Sequence, residues 1–353
     1  MNLLTLFRLF RHACLLLVVM LAVASSIHGQ TLQDDCSPPH RIEWPADNPV
    51  WSLCWISPDN SSGIDGSGLE LRDVFYKGKR VLRRAGMPLL NVNYDPGGCG
   101  SYRDWQHGSM PFETEGIVGP PEWHYAEPAS PPRTMCEHPG TDVGGFTGVA
   151  AQKTAEQLVL TTQLQAGPYR YTQHWTFHLD GSIDARVAFT SRVDPCVIKP
   201  HNHHAYWRLE FGIGPDGKDY AEETRPQAAG SVLKWDRFHT ESSRRNDPVR
   251  GGNWRVQSSS QPRGYEIISP AKNGVADPWA VADLWVLAAH PDELDDGGAR
   301  QGPGGSAVQL NQYLNGESVD DANLVLWIHA TDRHEGSGRC RLIGPTLRPI
   351  GKW

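Results

Sequence analysis

The stretch from 157 to 193, QLVLTTQLQAGPYRYTQHWTFHLDGSIDARVAFTSRV, falls into three runs in which apolar and polar residues alternate: Gln157 to Gln165, Tyr169 to Leu179 and Ile183 to Val193. A period of two puts every second side chain on one face of an extended chain, so each run reads as a strand with a buried side. Asp180-Gly181 between the last two runs predicts a tight type I′ hairpin, because both central residues of that turn need positive φ. The three runs therefore predict an antiparallel meander. Upstream, LELRDVFYKGKRVLRRAGMPLLNV from Leu69 to Val92 breaks at Lys77-Gly78 into two further alternating segments. Downstream, strands are expected at His203 to Ile213, Ala282 to Ala289 and Leu324 to Ala330. No segment sustains a 3.6-residue apolar period, and no internal repeat is found. Gly 36 and Pro 27 among 353 residues exceed the usual share of about 12%, which favours turns over long helices. The fold class expected is all-β, one large antiparallel β-sandwich.

Residues 1–30 carry Arg8, Arg11 and His12, then an apolar run from Ala13 to Ala24, then small residues. This reads as a secretory signal peptide. The run is shorter than the roughly 20 residues of a membrane span, and an uncleaved anchor is the alternative. Residues 31–68 are rich in Pro, Ser, Asp and Trp without a period and read as an irregular N-terminal arm pinned by Cys36 and Cys54. The domain proper is then 69–353. Outside the leader the cysteines number six, namely Cys36, Cys54, Cys99, Cys136, Cys196 and Cys340. In an exported chain they imply three disulfides, and no C-x-x-C spacing supports a zinc ribbon. The net charge of −7 becomes more negative once the basic leader is removed. That argues against nucleic acid or an anionic membrane as partner.

Chemistry concentrates at Pro200-His201-Asn202-His203-His204, ahead of the run Ala205 to Phe211. On a strand, His201 and His203 share a face and can direct two imidazoles at one ion, while His204 faces away. A third ligand is needed. His334, just past the strand LVLWIHA, is preferred, with His329 and His290 as rivals. Three neutral imidazoles with open positions suit copper or zinc. A cupin also presents H-x-H from a barrel, but the first acid after His203 is Glu210, further on than that pattern places its Glu. Thirteen Trp and polar aromatic loops leave a glycan-binding sandwich as a third reading.

Several segments in order resemble the catalytic domain of copper amine oxidases. GLELRDVFYKGKRVLRRAGMPLLNVNYDP is similar to the family's paired strands leading into its "V-P-Y-x-D" loop, and Met135-Cys136-Glu137-His138 to "I-C-x-H". QLVLTTQLQAGPYRY resembles "R-x-L-V-I-S … V-G-N-Y-E-Y", and HNHHAYWRLEFGI resembles "H-Q-H-x-x-x-x-R-L-D". YLNGESVDDANLVLWIHATDRH and the tail RLIGPTLRPIG continue the series, which runs from Leu69 to Trp353 without the family's smaller N-terminal domains.

The resemblance implies an exported copper enzyme that takes a primary amine, O2 and water to aldehyde, ammonia and peroxide through topaquinone, a quinone made from a tyrosine. It implies His201, His203 and His334 as copper ligands, Tyr169 as quinone precursor with Tyr171 as rival, and Asp104 as general base with Asp95 as rival. Tyr94 matches the tyrosine that hydrogen-bonds the cofactor, and a homodimer is implied. It suggests a Cys99–Cys136 disulfide, and the nearness of the proposed ligands suggests Cys196–Cys340. The chain departs from the family at Pro168-Tyr169-Arg170, where Asn precedes and an acid follows the precursor. Proline removes a donor, and an arginine pointing into the pocket would repel an ammonium substrate. A copper-binding protein on the same scaffold without the quinone is therefore the second reading.

Overall fold

The two apolar faces predicted by the alternating runs meet as two stacked sheets. The computed structural model describes residues 36, 39–94, 99–115, 124–224, 234–246, 253–269, 279–298, 307–334 and 340–353. The leader and Asp95 lie outside them. Residues Ser37–Trp353 form one compact unit.

The first sheet has nine strands. Its centre runs from Glu70–Tyr76 through the long strand Lys79–Tyr94, the histidine strand His201–Phe211 and the closing strand Leu324–His334 to Leu284–Ala288. The second has ten strands, with Thr346–Gly351, Ile183–Ser191, the tyrosine strand Tyr169–His178 and Gln157–Ala166 side by side. Among the described strands all pairings are antiparallel except Tyr125–Ala126 with Val149–Lys153. The stretch expected as an irregular arm contains two strands, Arg41–Trp44 and Trp51–Ile56, which extend the first sheet beyond Glu70–Tyr76. Ile42, Trp44, Trp51, Leu53 and Trp55 are all in the core, and burial of Cys54 and Ile56 as well removes a simple period from the second of the two strands.

The core lies between the sheets and takes odd-numbered residues of both key strands, among them Ala205, Trp207 and Leu209 from one sheet and Tyr171, Trp175 and Phe177 from the other. Polar threads also cross the gap. Trp51 Nε1 donates to His178 O (2.8 Å), Trp175 Nε1 to Leu69 O (3.2 Å), and the Leu69 N–H to Gln173 Oε1 (2.8 Å). The Asp180-Gly181 hairpin forms one residue wider than a two-residue loop. Gly181 alone has positive φ there (+93°), and His178 N–H reaches Ser182 O at 3.0 Å. A side chain at Gly181 would run into the Tyr76 ring, so close packing as well as the turn demands glycine.

Trp175 is fully buried and bonded across the gap. Trp175→Ala is expected to cost about 3–5 kcal/mol, read as a lower denaturation midpoint in guanidinium chloride.

Candidate metal centre

The site is built at one end of the sandwich by strand register. His201 pairs with Tyr94 on one side and with His334 on the other, so three neighbouring strands put these residues in one row on the inner face. The closing strand runs on to His334, rather than ending at Ala330 as the sequence suggested. Across the gap, Tyr169 and Tyr171 occupy the inner face of the tyrosine strand, and Phe189 pairs with Tyr171.

His201, His203 and His334 converge, each offering one nitrogen within 4.8 Å of the others, and all three are buried. His201 Nε2 is 3.1 Å from His203 Nε2 and 3.2 Å from His334 Nδ1. Nitrogens about 2.0–2.1 Å from one ion stand roughly 2.9 Å apart at a right angle and roughly 3.3 Å apart at a tetrahedral one. These two separations fall between, as expected of donors that share a single transition-metal ion with open positions. His201 Nδ1 lies 2.5 Å from Lys199 O. It must donate there, which leaves Nε2 as a bare lone pair. Burial, reinforced by His201 and His334, holds His203 well below the usual imidazole range, and burial lowers His334 too. Both are thus kept neutral, the form that ligates metal.

The Tyr169 hydroxyl contacts His201 Nε2 and lies 3.4 Å from His334 Nδ1, and the Tyr94 phenol is near enough to act on it electrostatically. Burial pushes the Tyr169 and Tyr94 phenols above their ordinary value. The ring of Tyr94 rests on His201 with centroids 4.6 Å apart. Asp104 follows the short strand Ser101–Arg103 and is anchored by its N–H to Leu90 O at 2.8 Å. It is buried rather than a solvated loop acid, and it accepts the Tyr171 hydroxyl proton. Burial raises its carboxyl to about 7, against a smaller opposing effect of that hydrogen bond.

The rival ligands go elsewhere. His329 is on the outer face, 3.0 Å from His204 and 3.2 Å from Asp283, while His290 pairs with Glu317 at the surface. Arg170 also points away from the site and is held by Asp142 at 2.7 and 3.1 Å, because the strand alternates. Pro168 sits in a two-residue turn between Ala166 and Tyr169, after Gly167 at φ +54°. The ladder asks no N–H of that position, so proline costs no hydrogen bond there.

The disulfides differ from both expected pairings. Cys99 bonds Cys196, and Cys136 bonds Cys340; Cys36 and Cys54 are also disulfide-bonded. Strand adjacency is the reason. The Tyr94 N–H donates to Gly100 O at 3.1 Å, which keeps Cys99 near the end of the long strand, beside the entry to the histidine strand. Cys136 lies against Thr172 and Cys340 against the Phe189 carbonyl, on two paired strands. Phe189, stacked on His203 at a centroid distance of 4.0 Å, was missed at the sequence level. The hairpin register that pairs it with Tyr171 was the available signal.

Among solved structures, the chain aligns over 88% of its length with a copper-containing benzylamine oxidase from Hansenula polymorpha, at TM-score 0.65 and 15% identity, covering 60% of that chain. The fold is that of the copper amine oxidase catalytic domain. A lysyl oxidase of Pichia pastoris (TM-score 0.60, 15% identity, 85% of this chain and 51% of that one) shares this amine oxidase fold. So does an Aspergillus nidulans amine oxidase (TM-score 0.59, 17% identity, 88% and 51%). The present chain thus spans between about half and three fifths of these oxidases. No protein-family model and no curated protein matches the sequence.

Two outcomes are expected. Peptide mapping without reduction should recover Cys99 joined to Cys196 and Cys136 to Cys340, with no Cys99–Cys136 peptide. In the metal-free protein, a carboxyl whose native value lies above its unfolded one binds more protons folded than unfolded. Its contribution to stability must therefore fall as pH rises from about 4 to about 7. Asp104→Asn should flatten that part of the stability profile, measured by denaturant titration at each pH.

Proposed function

We propose that this protein is an exported copper-dependent oxidase of primary amines, with His201, His203 and His334 as copper ligands and Tyr169 as the precursor of a topaquinone. The observation that carries this reading is the Tyr169 hydroxyl set against ligand atoms of both His201 and His334. Copper there would bring oxygen chemistry to that ring, and the quinone would supply the electrophilic carbonyl that protein side chains lack.

The remaining roles fall to the chain itself. Tyr94, the residue taken to hydrogen-bond the cofactor, covers His201 with its ring, which keeps water from that side. Asp104 is the base for the substrate α-proton. One of its oxygens is taken by Tyr171, and a carboxyl near 7 exchanges protons readily at neutral pH. With Arg170 engaged by Asp142 on the far face, no cation from that position opposes an ammonium group. The partners are then a small primary amine and O2, and a homodimer is the proposed assembly. The disulfides support an oxidising compartment. Among the described residues no helix is long and apolar enough to cross a membrane.

Asp104's engagement with Tyr171 favours the second reading, a copper-binding protein that forms no quinone. The two are separated by loading the metal-free protein with Cu(II) in air. An oxidase develops a visible quinone band and reacts with phenylhydrazine; a protein that binds copper and stays colourless is the second kind. Tyr169→Phe should abolish the band while copper still binds. His334→Ala should weaken copper by more than the roughly 10–100-fold typical of losing an outer partner.

A further inference from the structure

Tyr171 has no part in the chemistry proposed for Tyr169, yet it is fully buried beside it, with ring centroids 5.6 Å apart. The two hydroxyls address different atoms. Tyr169 meets the ligating nitrogens of His201 and His334, whereas Tyr171 Oη lies 3.5 Å from Nδ1 of His203, the nitrogen on the far side of that ring from the cluster. A phenol has one proton to give and lone pairs to receive with. Its proton goes to Asp104 Oδ2, so what it offers His203 is a lone pair. Nδ1 of His203 must then carry the hydrogen, and Nε2, 3.1 Å from His201 Nε2, is left bare. His201 is fixed in the same sense by the Lys199 carbonyl. Phe189 stacked on the His203 ring restricts the remaining freedom, its tilt.

We propose that Tyr171 is a positioning residue of the metal centre: the chain Asp104–Tyr171–His203 selects the tautomer and ring plane that aim His203 Nε2 at the ion. Asp104 thereby has two duties, orienting a ligand through one oxygen and leaving the other for a substrate proton. Removing the Tyr171 hydroxyl frees His203 to adopt the tautomer that cannot ligate through Nε2. The cost is expected to match that of outer partners elsewhere, about 10–100-fold in metal affinity.

The inference rests on the metal-centre reading, and the test keeps the two apart. Full-length protein is stripped and reloaded, and Cu(II) affinity is measured by chelator competition together with the Cu(II) electron paramagnetic resonance spectrum. Tyr171→Phe is expected to bind copper about 10–100-fold more weakly than wild type and to show altered hyperfine splitting. In a His203→Ala background the same substitution should add less than about twofold, because the coupled partner is gone. A Tyr171→Phe protein with wild-type affinity and a superimposable spectrum overturns the bridge alone. A wild type that binds no copper overturns the metal centre and the bridge with it. If Tyr171→Phe does not fold, Asp104→Leu, which removes the acceptor of the Tyr171 hydroxyl, carries the test: weaker copper binding is expected, and unchanged binding and spectrum overturn the proposal.

Discussion

Everything at the site depends on the register of three adjacent strands, which sets Tyr94, His201 and His334 in one row facing the tyrosine strand. A slip of one residue would turn the imidazoles to the opposite side of the sheet. The histidines themselves cannot prevent such a slip, since the upper half of their strand is polar on both faces. His201 and His203 look inward, and Asn202 and His204 outward. Register is pinned lower down, where Ala205, Trp207 and Leu209 join Leu326, Ile328 and Ala330 in the core between the sheets.

Burying imidazoles, phenols and a carboxyl in one layer is unfavourable unless each finds a partner. Here the partners are one another and the backbone. Tyr169 meets two histidines, Tyr171 meets Asp104, and Lys199 O takes the His201 proton. The one hydroxyl proton of Tyr169 is set against ligand nitrogens of both His201 and His334, and an ion would satisfy the three imidazoles together. On the outer face His204, His329 and Asp283 form a separate buried chain, with Tyr206 stacked on His329 at 4.5 Å. The same strand therefore supports two polar clusters that do not share a face.

The all-β class and the central strands were legible because alternation is a local signal, and the paired strands about Lys77-Gly78 and the three meander strands appear within two residues of their expected ends. The H-x-H pair was legible for the same reason. His334 could be singled out only as one of three candidates, because its closeness to His201 is a matter of strand order across 133 residues. The burial of Asp104 was not legible, since a loop acid acquires its surroundings from elements distant in sequence. Cysteine pairing failed likewise. Which loops lie side by side follows from the sheets; the strand Trp51–Ile56 was hidden by a burial pattern without strict alternation, and Arg41–Trp44, though it alternates, is only four residues long.

The long reach between the histidine strand and the closing strand also orders events in time. As the chain emerges from its N-terminus, His201 and His203 are made well before His334, and contacts of such wide separation form late. An ion arriving early would find two imidazoles and no third, on a strand whose outer neighbour is still missing. On the copper reading proposed above, an ion would therefore enter after folding, when the strand that carries His334 has closed against its neighbour.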